Sequence, residues 1–271
     1  MKTPLFSVII PTFNRRNVLA RAVNSVLRQT ITDFELIIVD DGSTDDTEQY
    51  IRSIDDPRIK YYKKQNGGQN SALNMGLDLS TGKYIALLDS DDYWLNNKLE
   101  KVYNAYMEDG DVGVVYHWTG YFDGKEIKIE REDQIEGRCF DKVLKVGYLT
   151  APTFLTFKAE AIKKIGKLDE RISWCQDDDL CFMLCKSFKV KVIKEVLGVY
   201  SRDDEHQMSK NYPSKKYLDS ELLFLQKWEN DIVRNCGREV MIKRFLKCIN
   251  GLLIIGDVET ADKVYDHTKK I

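Results

Sequence analysis

The sequence predicts an α/β fold built on a doubly wound, mostly parallel sheet. Short apolar runs rich in β-branched residues, such as LFSVIIP (5–11), FELIIVD (34–40) and KYIALLD (83–89), alternate with segments of helical periodicity. Each run is apolar throughout, which indicates strands that are buried on both faces of a parallel sheet. Such a sheet is covered by helices on both sides.

The elements follow one another in a regular order along the first half. Apolar residues at helical spacing over 18–27 predict a helix after the first strand, and IKYYKK (59–64) is a further strand. A helix is expected near 69–79, and VGVVYH (112–117) is the last strand of this half. This half extends to about residue 118.

The second half, about 119–212, mixes strands and helices, and the chain is helical from Pro213 onward. Its predicted elements are a hairpin at 121–129, a strand at 153–157, a helix at 159–166, a helix from about 179 to 187 and a strand at 189–196. We therefore expect one domain over 1–212 and a C-terminal helical extension over 213–271.

Composition excludes several classes of function. The 271 residues carry 41 Lys and Arg against 43 Asp and Glu, so the net charge of −2 provides no general attraction to nucleic acid. The N-terminal MKTPLFSVIIPTFN lacks the features of a signal peptide, and no segment reaches the roughly 18 apolar residues of a membrane span. We expect a cytoplasmic protein that binds no nucleic acid.

Polar clusters follow three of the predicted strands, at 11–14 (PTFN), 40–43 (DDGS) and 89–92 (DSDD). In open α/β sheets ligands bind beyond the carboxyl ends of the strands, so these loops are expected to meet at one rim. Carboxylates as close as those in DSDD oppose one another's ionisation, and a divalent cation would neutralise them. For DSDD alone, a solvated acidic turn that begins a helix is the competing interpretation.

Five ordered motifs carry a family resemblance: SVIIPTFNR, LIIVDDGSTDDT, NGGQNSALNMG, YIALLDSDD and KIGKLDERISWCQDDDL. Together they resemble the family 2 glycosyltransferases of the GT-A fold over about residues 5–210. The resemblance implies transfer of a sugar, with inversion, from a nucleotide-sugar donor such as a UDP-sugar to an acceptor hydroxyl, in polysaccharide or glycoconjugate synthesis. It makes 1–118 the nucleotide-sugar-binding half and 119–212 the acceptor-binding half.

The resemblance also implies a donor site. Asp41 resembles the aspartate that accepts a hydrogen bond from the pyrimidine ring, although an Asx turn would also explain an aspartate in DDGS. Leu73 stands where arginine is frequent, which removes a cationic contact from that position. The remaining residues that the motifs assign to the donor are Pro11, Thr12, Asn14, Asn66, Gly68 and Asn74.

By the same motif match, Asp91 binds Mn²⁺ or Mg²⁺ and Asp89 contacts the ribose or a metal-bound water. Two carboxylates suffice, because such ions keep several waters and also take phosphate oxygens. Asp92 caps the next turn or supports the site. YSRDDEHQMS (200–209) resembles a segment that closes over the diphosphate, in which Arg202 neutralises phosphate and His206 is a further metal ligand or an ordinary surface histidine.

An inverting enzyme requires a base for the acceptor hydroxyl. In CQDDDL, Asp177 aligns with the catalytic aspartate of the family, and Gln176 departs from the glutamate usual before it. A shift of one residue would exchange the roles of Asp177 and Asp178. Trp174 can stack on a sugar or simply pack in the protein.

Two other functions remain open at this point: a sugar-phosphate nucleotidylyltransferase and a non-catalytic nucleotide-binding module. The first lacks a Gly-rich signature after strand one, and the second does not require the acids near 177. The acceptor is expected to be a glycan, a lipid-linked glycan or a protein. The C-terminal helices, with Lys243, Arg244 and Lys247 near apolar residues, are expected to serve placement, either at the inner membrane face, in a homodimer or docked on the catalytic domain.

Overall fold

The computed structural model describes residues 3–132, 134–201 and 213–271. Its strands are β1 (Phe6–Thr12), β2 (Phe34–Asp40), β3 (Ile59–Lys63), β4 (Tyr84–Leu87), β5 (Tyr93–Trp94), β6 (Val112–Phe122), β7 (Ile127–Arg131), β8 (Leu155–Lys158) and β9 (Lys189–Tyr200). Its helices are α1 (Arg16–Leu27), α2 (Thr47–Arg52), α3 (Gln69–Leu79), α4 (Lys98–Glu108), α5 (Phe140–Val146), α6 (Glu160–Ile165), α7 (Gln176–Ser187), α8 (Lys215–Cys236), α9 (Arg238–Ile254) and α10 (Val258–Thr268), with a 3-10 turn at Pro152–Phe154.

The described strands form one sheet in the order β3-β2-β1-β4-β8-β6-β9-β5, with β7 paired to β6. Strands β3, β2, β1 and β4 are parallel, whereas β8 runs antiparallel to both of its neighbours. Because Thr12 pairs with Asp40, the loops after β1 and β2 leave the sheet at the same edge. The predicted doubly wound, mostly parallel α/β sheet is confirmed.

Two helical layers cover the sheet. Helices α1 and α4 contribute Val23 and Leu99 to the core on one face. Because the other face is covered as well, β1, β2 and β4 are apolar on both sides. On the other face, Phe182 of α7 lies in the same buried cluster as Leu218 of α8 and Phe245 of α9. The predicted extension over 213–271 therefore shares a core with residues of the second half, about 119–212, instead of forming a core of its own.

Helices α4 and α5 and the short strand β5 were not predicted, and the start of α7 differs from the prediction. The sequence predicts a helix from about Asp179, but the helix begins at Gln176, so all three aspartates of QDDD lie in its first turn. Negative side chains are stabilised there by the helix dipole, which offsets part of their repulsion. No helix among the described residues has both the length and the apolar composition that a bilayer span requires.

Candidate functional site

A cavity of about 1340 Å³ opens at the edge where β1, β2 and β4 end. Parallel α/β sheets bind ligands at this edge because the loops of several strands converge there. The predicted site residues that line the cavity are Pro11, Thr12, Asn14, Asp41, Asn66, Gly68, Asp89, Asp91 and Asp177. Arg202 and His206 lie outside the described residues.

The loops after β1 and β2 hold each other in place. Asn14 has a φ of 51°, a left-handed conformation that asparagine tolerates. Its backbone N–H donates to Ser43 Oγ at 2.8 Å, and its Oδ1 accepts from the backbone N–H of Thr44 at 2.8 Å. These contacts give the PTFN and DDGS segments one fixed relative position.

Asp41 organises the glycine loop beside them. Its carboxylate accepts hydrogen bonds from the backbone N–H groups of Gly67 at 3.0 Å and Gly68 at 2.7 Å, and from Lys64 Nζ at 2.8 Å. Gly68 has a φ of 89°, where a side chain would be strained. Asp41 thus supports the loop that carries Asn66 and Gly68, in addition to lining the cavity.

Asn74, predicted to contact the donor, is absent from the cavity lining. Its Nδ2 donates to the carbonyl of Leu168 at 3.0 Å and to Glu170 Oε1 at 3.1 Å, and its Oδ1 accepts from the N–H of Leu168 at 2.8 Å. The side chain joins α3 to the 168–170 loop, so the donor site proposed below does not include Asn74.

The DSDD carboxylates have different partners. Asp91 Oδ2 accepts from Arg15 Nη1 at 2.9 Å. Asp92 accepts from Thr153 Oγ1 at 2.6 Å and from the N–H of Ser201 at 2.9 Å. Sequence reasoning missed Thr153, because its contact with Asp92 spans 61 residues and no local pattern marks it.

The cluster carries an excess of negative charge. Burial raises the pKa of Asp89 well above its usual value, and the charges of Asp177 and Asp91 raise it further. The pKa of Asp92 is raised by burial and by the charges of Asp89 and Asp91. A cation would relieve this repulsion, and hard carboxylate oxygens suit Mg²⁺ or Mn²⁺.

The donor set fits an ion of this kind. The described residues contain no group of three or more His, Cys, Asp or Glu side chains arranged to hold a metal. An ion that keeps several waters and takes phosphate oxygens from a ligand needs only one or two carboxylates. Asp91 and Asp89 can supply them.

The three aspartates that begin α7 face different surroundings. Burial raises the pKa of Asp177 to about 7, with the charges of Asp178 and Asp92 as further causes. Burial also raises the pKa of Asp178 to about 7, against the opposing effect of nearby cations that include Arg244. Asp179 is buried and accepts from Trp228 Nε1 at 2.7 Å and Lys227 Nζ at 2.7 Å. Asp177 is thus the carboxylate of the three whose pKa responds to the DSDD cluster.

Helix α8 forms part of the cavity wall, which the sequence did not predict. Tyr217 and Leu223 of α8 line it together with Trp174, whose ring packs against that of Tyr217 with 4.4 Å between centroids and 30° between ring planes. Ser220 Oγ accepts from the backbone N–H groups of Ser173 at 2.8 Å and Trp174 at 2.9 Å. Helix α8 therefore fixes the segment that leads into Asp177.

The model of glycosyl transferase family 2 matches residues 7–166. The chain belongs to this family. Among curated proteins, an uncharacterised glycosyltransferase of Nostoc sp. is 33% identical over 206 residues, which cover 72% of this chain and 63% of that protein. The chain thus spans less than two thirds of that relative's length.

Solved structures share the fold at low sequence identity. S. aureus TarS in complex with UDP-GlcNAc superposes with a TM-score of 0.68 at 20% identity, covering 94% of this chain and 76% of that one. A mannosyltransferase of Pyrobaculum calidifontis in complex with GDP-Man and Mn²⁺ gives 0.62 at 16% identity, covering 99% and 81%. The fold is of the GT-A type, as the sequence predicted, and the family is that of glycosyltransferase enzymes.

Proposed function

We propose that this glycosyltransferase is an inverting, divalent-cation-dependent enzyme that moves a sugar from a UDP-sugar to an acceptor hydroxyl in polysaccharide or glycoconjugate synthesis. One observation carries the proposal: Asp177 shares a cavity with the DSDD cluster, closely enough that its charge raises the pKa of Asp89. In this proposal the base and the metal-binding carboxylates therefore face one cavity, as a displacement reaction requires.

The donor lies, in this proposal, along the rim of β1 and β2. Pro11, Thr12 and Asn14 border the base and ribose, and Asp41 accepts from the base. Asp41 already accepts backbone N–H groups, so its carboxylate is held rigidly where a base N–H can reach it. Asn66, Gly68 and Asp89 complete the described donor site, to which the family resemblance adds Arg202.

Asp91, with support from Asp89, would hold the Mn²⁺ or Mg²⁺, and His206 stays a proposed further ligand. When bound, the ion stabilises the negative charge that develops on the departing diphosphate. Arg15 Nη1 contacts Asp91 Oδ2, so Arg15 would share this oxygen with the bound ion or move away from it.

Asp177 is the proposed base. As the acceptor oxygen bonds to the anomeric carbon, the bond from that carbon to the diphosphate breaks and the hydroxyl proton passes to the Asp177 carboxylate. A pKa of about 7 suits a base that operates near neutral pH. Asp178 lies under the influence of Arg244, Lys247 and Arg131, which favours a supporting role.

An acceptor sugar best fits the part of the cavity wall that Trp174 and Tyr217 form. The rings of Trp174 and Tyr217, which pack against each other, line the same cavity as Asp177 and Asp178 of α7. A pyranose presents both an apolar ring face and hydroxyls, so it can use both kinds of group. The acceptor would be a glycan or lipid-linked glycan, or a protein that carries one.

Peripheral contact with an anionic membrane face is a further part of the proposal. On α9, Leu246, Leu253 and Ile254 are exposed by 45%, 49% and 72%, whereas Phe245 faces the core. With Lys243 and Lys247 on the same helix, this surface suits a lipid interface. Sedimentation with anionic vesicles tests it, and a homodimer in light scattering without lipid binding would assign the surface to a second copy.

The decisive experiment presents UDP-sugars and GDP-sugars with Mn²⁺ and an oligosaccharide acceptor set. We expect nucleotide release from a UDP-sugar that depends on acceptor and on Mn²⁺, with an inverted anomeric configuration in the product by NMR. Release that persists in EDTA contradicts the metal requirement, and retention of configuration contradicts the role of Asp177. Incorporation of nucleotide into a sugar phosphate would instead indicate the nucleotidylyltransferase.

A further inference from the structure

Two glutamines connect the proposed base helix to the proposed donor site. Gln176 is the first residue of α7 and Gln69 is the first residue of α3. Gln176 Nε2 donates to Gln69 Oε1 at 2.6 Å, and Gln69 Nε2 donates to Asp89 Oδ1 at 3.1 Å. Both glutamines line the cavity.

The direction of these hydrogen bonds follows from the amide of Gln69, which has one donor group and one acceptor atom. Its NH₂ group contacts Asp89 Oδ1, and its carbonyl oxygen is left to accept from Gln176. Gln176 must then be a donor.

The neighbouring hydroxyl cannot replace Gln69 as the donor. Thr153 has one hydroxyl proton, and its Oγ1 lies 2.6 Å from Asp92 Oδ2 but 3.3 Å from Asp89 Oδ2. The short contact with Asp92 takes that proton, so the hydrogen bond from Gln69 to Asp89 is not duplicated by Thr153.

We infer that Gln176 and Gln69 are positioning residues, which hold the Asp89 carboxylate and fix α7, and with it Asp177, to the donor side of the cleft. The inference rests on the proposed function, because it assigns Asp89 to the nucleotide-sugar site. Neither glutamine is a catalytic residue, since each acts through a carboxylate.

These hydrogen bonds also account for the glutamine at position 176, where the family that the sequence resembles has glutamate. A glutamate at 176 cannot donate, so Gln69 would have to turn its NH₂ group toward it and its carbonyl oxygen toward Asp89. Two acceptors would then face each other, and a further negative charge would join Asp89 and Asp177. Gln176 and Gln69 therefore depend on each other.

The test measures the Kd of UDP in the presence of Mn²⁺, by calorimetry, for the full chain and for Q69M, Q176M, Q176E and the double variant Q69M/Q176M. Methionine keeps the length of glutamine but neither donates nor accepts strongly. Loss of a hydrogen bond to a carboxylate predicts a rise in Kd of about 10- to 100-fold for Q69M. Q176M should raise Kd less, and Q176E should raise it more than Q176M does.

The double variant Q69M/Q176M tests whether the effect of Gln176 on UDP binding depends on Gln69. If the effect of Gln176 passes through Gln69, Q69M/Q176M binds no more weakly than Q69M alone, because the second change removes a bond that is already lost. Effects that multiply refute the inference, and so does a Q176E variant that binds as tightly as the parent. Thermal unfolding checks that each variant is folded, and asparagine at the same position, Q69N or Q176N, replaces methionine in any variant that is not.

The matched control is Gln49, an exposed residue of α2 outside the cavity. Q49M should leave the Kd unchanged. A parent protein that binds no nucleotide refutes the proposed function and this inference together. A parent that binds UDP while Q69M binds it equally well refutes the inference alone.

Discussion

Replacing Asp177 or Asp178 with asparagine separates the chemistry of these two carboxylates from the free energy of burying them. The pKa of each is raised from 3.8 to about 7, mainly by burial. At about 1.4 kcal/mol per pKa unit, each rise corresponds to at most about 4 kcal/mol of lost stability in the ionised state. Both side chains keep some exposure to solvent, which screens part of this effect. We therefore expect the free energy of unfolding of each Asn variant to rise by about 1–3 kcal/mol at pH 8.

The sign of the pH dependence follows from the direction of the pKa. A carboxyl whose pKa is higher in the folded than in the unfolded chain holds its proton more tightly when folded, so stability falls as the pH rises from about 4 through 7. Asparagine has no proton to lose. The gain in the free energy of unfolding should therefore be small near pH 4, grow with pH and level off above pH 7.

The assay pairs urea unfolding in EDTA at several pH values with rates of sugar transfer in Mn²⁺. Both variants should be stabilised at high pH, but only Asp177→Asn should lose transfer, by about 10²- to 10⁴-fold, with UDP binding intact. Asp178→Asn should keep activity and move the acid limb of the rate profile to lower pH, since a negative neighbour of Asp177 is gone. Greater loss of transfer in Asp178→Asn would reverse the assignment, and destabilisation of both variants at pH 8 would refute the reasoning from burial.

Three further outcomes are expected. Asp91→Ala should abolish the Mn²⁺-dependent part of UDP binding and nearly all turnover, as measured by calorimetry and nucleotide release; unchanged Mn²⁺-dependent activity would remove the proposed metal site. Trp174→Ala should raise the acceptor KM by about tenfold or more while the UDP Kd stays within twofold, and an unchanged acceptor KM would leave this ring a packing role. Asn74→Ala should lower the free energy of unfolding by about 1–3 kcal/mol through its lost bonds to the Leu168 backbone, and a large loss of UDP affinity without destabilisation would restore Asn74 to the donor site.

The local patterns were sufficient for most of the fold. Apolar runs placed β1 and β2 within one or two residues, and the helix predicted near 69–79 is α3 at Gln69–Leu79. These assignments succeed because strands buried on both faces leave a continuous apolar run in the sequence. The antiparallel direction of β8 leaves no such trace, since strand direction depends on the connections and not on the residues of the strand.

The functional site likewise combines residues that the sequence motifs identified with residues that they did not. Motifs placed Pro11, Asp41, Asp89 and Asp91 on one cavity, because loops at the carboxyl edge of a parallel sheet must converge. They also assigned Asn74 to the donor, whereas its amide bonds to the 168–170 loop; the motif contains asparagine in either case. Thr153 was missed because its partners lie far away in the chain.

The sequence by itself determined the alternation of strands and helices from β1 to β4, the rim on which the polar loops meet, and the family. Only the tertiary structure decided which partners surround each carboxylate. Asp177, Asp178 and Asp179 are consecutive and chemically identical, yet one lies near the DSDD cluster, one near Arg244 and one against Trp228. Side chains that follow one another in a helical turn point about 100° apart, so each meets a different part of the protein, and that part sets its pKa and its role.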